Sequence, residues 1–120
     1  MKKKQNSMSI CVDIDNTICE TKKNYYLHSK PLKSKINFLN KMYDNGHIII
    51  IYTARFMGRN KNNAKKLNVK NYEFTFNQLK KWGLKFHELH LGKPAADIYI
   101  DDKSINFEKN WNLKLKEFLK

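Results

Sequence analysis

GHIIIIYTAR, residues 46–55, is the stretch on which the reading of this chain turns. Four consecutive isoleucines followed by Tyr52 leave no polar side for water, a pattern that suits a strand of a parallel sheet covered on both faces. The run ends on Thr53, a polar residue at the strand's carboxyl end. Just upstream, Asn45-Gly46 supplies a left-handed stop for a helix opened by Pro31, in which Leu32, Ile36, Leu39 and Tyr43 recur at helical spacing. Downstream, Thr75 with Gln78 forms a capping-box pattern ahead of a short helix carrying Phe76, Leu79 and Trp82 and stopping at Gly83. Residues 8–14 read as a short strand running into Asp13 and Asp15, and residues 86–91 as a third. Ile98 and Ile100 mark a fourth strand over residues 97–101, and Phe107, Trp111, Leu115 and Leu119 mark a closing helix.

Alternating elements of this kind predict an α/β fold, a three-layer sandwich built on a mostly parallel central sheet. One junction fits poorly. Only residues 92–96 separate the last two strands, so the third is read either as a short parallel strand or as an irregular or antiparallel edge. Residues 20–30 read as a loop or small flap. Residues 54–70 form a long, basic, asparagine-rich loop, functional or mobile.

The 120 residues suffice for a single domain, 1–120, with residues 1–7 as a frayed basic start. A composition that is 41% hydrophobic and 29% charged excludes a disordered or collagen-like chain. The longest apolar run is far too short to span a bilayer, and no signal-peptide core follows the first lysines, so a cytoplasmic protein with reduced Cys11 and Cys19 is expected. The net charge of +13 attracts any polyanion, yet 22 of the 24 basic residues are lysines. Specific phosphate or base recognition favours the arginine fork, so nucleic acid is possible as a partner but not favoured.

In open α/β sheets ligands bind beyond the carboxyl ends of the strands. There the sequence places Asp13-Ile14-Asp15-Asn16-Thr17, then Thr53-Ala54-Arg55, then Lys93, then Asp101-Asp102. Converging carboxylates repel unless a hard cation joins them, and oxygen ligands without paired His or Cys favour Mg²⁺. A hydroxyl and a lysine beside such a cation make a phosphate pocket, to which loop amides after Asp13 can add donors. This is the outline of a phosphoryl-transfer site.

These residues resemble the haloacid dehalogenase superfamily of aspartate-nucleophile phosphatases: DIDNT matches its DxDxT signature, and Thr53, Lys93 and the Asp101-Asp102 pair match its remaining motifs, over about residues 8–108. GHIIIIYTARFM and GKPAADIYIDDK look more narrowly like small phosphatases, nearly without a cap domain, encoded with bacterial capsule and surface-polysaccharide biosynthesis. The resemblance implies that Asp13 attacks phosphorus, Asp15 protonates the leaving oxygen and then activates water, Thr53 binds a phosphoryl oxygen, and Lys93 neutralises developing charge. It also implies Mg²⁺ held by Asp13, the Asp15 carbonyl and Asp102, oriented by Asp101, with the last two roles exchangeable. Asn16, Thr17, Ala54, Arg55 and Arg59 are the candidate substrate contacts.

Each residue also has a plainer explanation. Asp15 and Thr17 are ordinary capping types, and Arg55 and Arg59 serve equally as salt-bridge partners. Cys19 reads as packing, because no histidine is placed to activate it. His87 and His90, three apart, fall on opposite faces of a strand and make no metal pair. Phe38, Trp82 and Trp111 read as core aromatics.

The expected activity is Mg²⁺-dependent phosphomonoester hydrolysis through an aspartyl-phosphate, on a small phosphorylated sugar-like or amino-alcohol-bearing intermediate. The thin cover over the site suggests a homo-oligomer in which a second copy shields it. Two alternatives stand beside this: a 3′-phosphatase acting on nucleic-acid ends, and a non-catalytic polyanion-binding module.

Overall fold

The structure, a computed structural model, describes residues 7–58 and 60–119. Ile48–Thr53 forms the middle strand, β4, of a three-stranded sheet, flanked by Ser9–Val12 (β1) and Glu88–Leu91 (β5) and parallel to both. The third predicted strand is therefore a parallel edge. Along β4, Ile49, Ile51 and Thr53 are buried while Ile48, Ile50 and Tyr52 are only partly covered, so one face of the sheet is sealed more completely than the other. Register aligns Ile10 with Ile49, Val12 with Ile51 and Ile51 with Leu89 on the sealed face.

Three helices contribute to the core: Lys33–Asp44 (α1) through Ile36, Leu39 and Met42, Val69–Lys81 (α2) through Leu79, and Trp111–Phe118 (α3) through Trp111 and Leu115. Each fully buried Leu or Ile side chain contributes about 1.5–3 kcal/mol. Helix α1 stops as expected, with Gly46 at φ 98° and the His47 N–H donating to the Met42 carbonyl.

Several boundaries differ from expectation. Pro31 does not open α1 but pairs with Cys19, in a two-residue ladder of Cys19–Glu20 (β2) with Lys30–Pro31 (β3) that closes residues 20–30 into a flap. Helix α2 begins at Val69, six residues before the expected cap, through a reciprocal capping box between Asn68 and Asn71. Thr75 lies buried inside the helix, its hydroxyl donating to the Asn71 carbonyl. Phe107 is exposed and precedes α3. Of the expected frayed start, residues 1–6 lie outside the described residues, while the Ser7 hydroxyl donates to the Gly46 carbonyl at 2.8 Å.

The fourth strand does not form. Residues 97–101 pair with no strand among the described residues, and Ile98 and Ile100 are 77% and 97% exposed. The connection after β5 is held at the carboxyl end of the sheet and never returns to its amino end. The Lys93 N–H donates to the Thr53 carbonyl at 3.1 Å, and Asn62 clasps Ala95 with two amide hydrogen bonds of 2.8 and 3.3 Å. A five-residue connection pinned at two points has no slack for a parallel return. The same clasp settles the long loop after β4, which folds back over this connection, with Ala64 Cβ 3.5 Å from where a Gly92 side chain would begin.

Candidate active site

The chain leaves β1 through one tight turn. The Ile14 carbonyl accepts the N–H groups of Thr17 and Ile18 at 3.1 and 3.0 Å, and Asn16 adopts φ 60°. Ile14 and Ile18 are fully buried, anchoring the turn and leaving Asp13 and Asp15 on either side of an apolar peg. The Asp13 Oδ1 accepts the Ile14 N–H at 2.8 Å, while its Oδ2 faces Lys93 Nζ at 3.9 Å. On the adjacent strand end Thr53 is fully buried, its hydroxyl oxygen accepting the Arg55 N–H at 3.1 Å with the hydroxyl hydrogen still to donate. Asp13, Thr53 and Lys93 thus share one edge of the sheet.

Burial pushes the Asp13 carboxyl above the ordinary carboxylate range, against the opposing pull of Lys93. The folded chain therefore keeps this proton at pH values where the unfolded chain has released it, so the associated stability is present below the ordinary carboxylate pKa and lost as pH rises through the raised one. In EDTA, Asp13→Asn is expected to melt a few degrees above wild type near about pH 7, with the gap closing by about pH 3. Melting curves across pH check this, and a variant that melts below wild type at neutral pH contradicts it.

Asp15 points into a different environment. Arg55 Nε donates to its Oδ2 at 2.9 Å and lies 3.2 Å from Oδ1, while Nη2 donates to Oδ1 at 2.9 Å. The Thr21 hydroxyl donates to Oδ1 at 2.6 Å. The Arg55 side chain is 0% exposed, so its ion pair with Asp15 is no plain surface salt bridge. Its Nη1 donates to Gln78 Oε1 at 2.7 Å, and its guanidinium lies 4.8 Å from the Tyr26 ring centroid. Because Asp15 is 20% exposed, removing one partner costs less than the roughly 3–5 kcal/mol of a fully buried pair. Phe56, next in the chain, sits at φ 69°, a conformation costing a bulky residue about 1–3 kcal/mol.

The remaining candidates divide. The Asn16 side chain accepts the Thr21 N–H at 3.0 Å, the Thr17 carbonyl accepts Trp111 Nε1–H at 3.1 Å, and the Ala54 carbonyl accepts the Met57 N–H at 3.0 Å. Arg59 lies outside the described residues. Asp101 and Asp102 are exposed, and the Asp101 carboxylate accepts the Lys103 N–H at 2.8 Å. Their segment still passes near the site: Tyr99 lies 4.3 Å below Lys93 Nζ, and Asp101 is among the charges felt by the Cys11 thiol. Asp13 faces Lys93 and the Asp15 carboxylate faces Arg55, which leaves the Asp15 carbonyl as its expected donor; among the described residues no group of three or more His, Cys, Asp or Glu is placed to hold a metal, a number that two carboxylates and a carbonyl do not reach.

Cys19 is buried beside Asp15, and burial raises its thiol pKa, in keeping with packing. His87 Nδ1 accepts the Ile49 N–H and its ring stacks on Tyr43, whereas His90 pairs with Glu88. Sequence reasoning missed Thr21 as a partner of the site, placed Tyr26 only in the cover over it and saw Gln78 only as a cap. Beside the flap an open cleft of about 360 Å³ is lined by Tyr25, Tyr26, Phe56, Phe74, His28 and Lys70, among others.

Residues 10–77, more than half of the chain, match the family described as haloacid dehalogenase-like hydrolase. The chain belongs to this family. Among solved structures, a crystal structure of a target protein from Vibrio cholerae is similar to this hydrolase at TM-score 0.75 and 26% identity, over 93% of this chain and 98% of that one. No curated protein matches it. Fold and family thus agree with the α/β reading, and no helix among the hydrolase's described residues is long and apolar enough to cross a membrane.

Proposed function

We propose that this hydrolase cleaves phosphomonoesters, with Asp13 as nucleophile. The observation that carries the reading is the Asp13 Oδ2 facing Lys93 Nζ at 3.9 Å beside the buried Thr53 hydroxyl. Asp13 Oδ2 bonds to phosphorus, the ester P–O bond breaks, and Asp15 gives a proton to the departing oxygen. Water then attacks the aspartyl-phosphate and passes a proton to Asp15, so that inorganic phosphate leaves and Asp13 is restored. Thr53 and Lys93 stabilise the phosphoryl oxygens. Mg²⁺ is implied by the sequence resemblance and is in keeping with the family.

The favoured substrate is a small phosphorylated sugar-like or amino-alcohol-bearing intermediate of surface-polysaccharide synthesis, on the strength of GHIIIIYTAR and GKPAADIYIDDK. The reading includes a single domain, a cytoplasmic setting and a second copy covering the site. A second reading, hydrolysis of 3′-phosphates on nucleic-acid ends, draws on the aromatic cleft with Lys70 at its rim and on the net charge of +13. Phosphate release across sugar phosphates, phosphoethanolamine-type esters, nucleotides and a 3′-phosphorylated oligonucleotide, with Mg²⁺ or EDTA, separates them. Salt-insensitive turnover of the small esters is the expected result. Preferential turnover of the oligonucleotide, falling steeply with salt, would favour the second reading.

A further inference from the structure

We propose that Arg55 is a positioning residue that clamps Asp15 so that only its Oδ2 is left to handle the proton of the leaving group. The proposal rests on the aspartyl-phosphate reading above. Oδ1 is fully engaged: it accepts from Arg55 Nη2 and from the Thr21 hydroxyl, with Arg55 Nε and the Cys19 thiol also within reach. Among the described residues Oδ2 receives Arg55 Nε alone, and a carboxylate oxygen has room for a second partner.

Arg55 itself has no freedom to serve the substrate. Besides Asp15 its donors meet Gln78 at 2.7 Å and Ser29 at 3.5 Å, and its face is covered by Tyr26. Gln78 Nε2 in turn donates to the Tyr26 carbonyl at 2.7 Å, and Thr21 and Ser29 share a hydroxyl hydrogen bond of 2.6 Å. The flap, α2 and the end of β4 therefore converge on one carboxylate. The left-handed φ at Phe56 belongs to the turn that sends Arg55 inward and the Phe56 ring against Tyr26, with centroids 5.2 Å apart. A buried ion pair is weak evidence of a stabilising device, whereas a fork that grips both oxygens, with the Thr21 hydroxyl added on Oδ1, fixes the carboxylate's orientation and leaves the open position on Oδ2.

Arg55→Lys keeps the charge and removes the fork. For an alkyl phosphomonoester, whose leaving oxygen needs a proton, kcat/KM should fall about 10²-fold with KM nearly unchanged. For p-nitrophenyl phosphate, whose leaving group departs unprotonated, kcat/KM should change little. Equal losses on both esters, or no loss in a variant that melts like wild type, overturn the clamp. A crystal structure of Arg55→Lys gives a readout free of turnover: the Asp15 carboxylate should leave its observed orientation, and an unmoved carboxylate overturns the proposal whatever the rates. The underlying reading fails separately, through an Asp13→Asn variant that still releases phosphate.

Discussion

Asp13→Asn is expected to lower phosphate release by about 10⁴-fold or more, the scale on which removing a covalent nucleophile acts. The substitution is nearly isosteric, and the asparagine side-chain oxygen can keep the hydrogen bond from the Ile14 N–H. What is lost is the second oxygen as a nucleophile, since an amide nitrogen in its place has no available lone pair for attack on phosphorus. Lys93, at 3.9 Å, loses its counter-charge while its place in the fold remains fixed by its own backbone bond to Thr53. Steady-state phosphate release measured with a melting curve is the check. A folded variant with near wild-type turnover would assign the chemistry to some other group.

The next largest effect is expected at Lys93. Lys93→Met preserves the length and the apolar stem of the side chain but removes the cation that faces Asp13 and the incoming phosphoryl group. Deleting one such preorganised donor costs about 10²–10³-fold in kcat, with a rise in KM because the ground-state phosphate loses the same partner. Turnover of one ester at varied concentration separates the two parameters. A change confined to KM would make Lys93 a binding residue only. Because Lys93 lies directly over the Tyr99 ring, the methionine side chain keeps an apolar contact there, and the fold should not suffer.

Much of this site was legible because its residues are short in sequence and fixed by strand ends. Asp13 and Thr53 each follow an apolar run and Lys93 follows the strand Glu88–Leu91 by two residues, and a parallel sheet brings such positions to one edge without further information. The isoleucine run likewise identified the central strand, and Asn45-Gly46 the end of α1. Residues 97–101 misled for a physical reason: alternating Ile98, Tyr99 and Ile100 satisfy the strand pattern, but periodicity cannot see that Asn62, over thirty positions earlier, holds the preceding loop away from the sheet. The surroundings of Arg55 were hidden for the same cause. Its partners Asp15, Ser29 and Gln78 come from three separate segments, and no local spacing links them. The helix-start error at Thr75 is different in kind, because a Thr-x-x-Gln pattern inside a helix is indistinguishable from a cap until the upstream Asn68 and Asn71 are seen to bond each other.

The hydrogen bond from Trp111 to the Thr17 carbonyl joins residues 94 positions apart, and this separation sets an order of assembly. A ribosome adding about 5–20 residues per second produces Trp111 roughly 5–20 s after Thr17. Through that interval the turn bearing Asp13 and Asp15 exists without the indole that covers it, even after Thr53 and Lys93 have been made. The pocket is therefore completed from the far end of the chain, and a translation product halted before Trp111 would hold Asp13, Thr53 and Lys93 but lack the indole that secures the turn between the two aspartates and the flap.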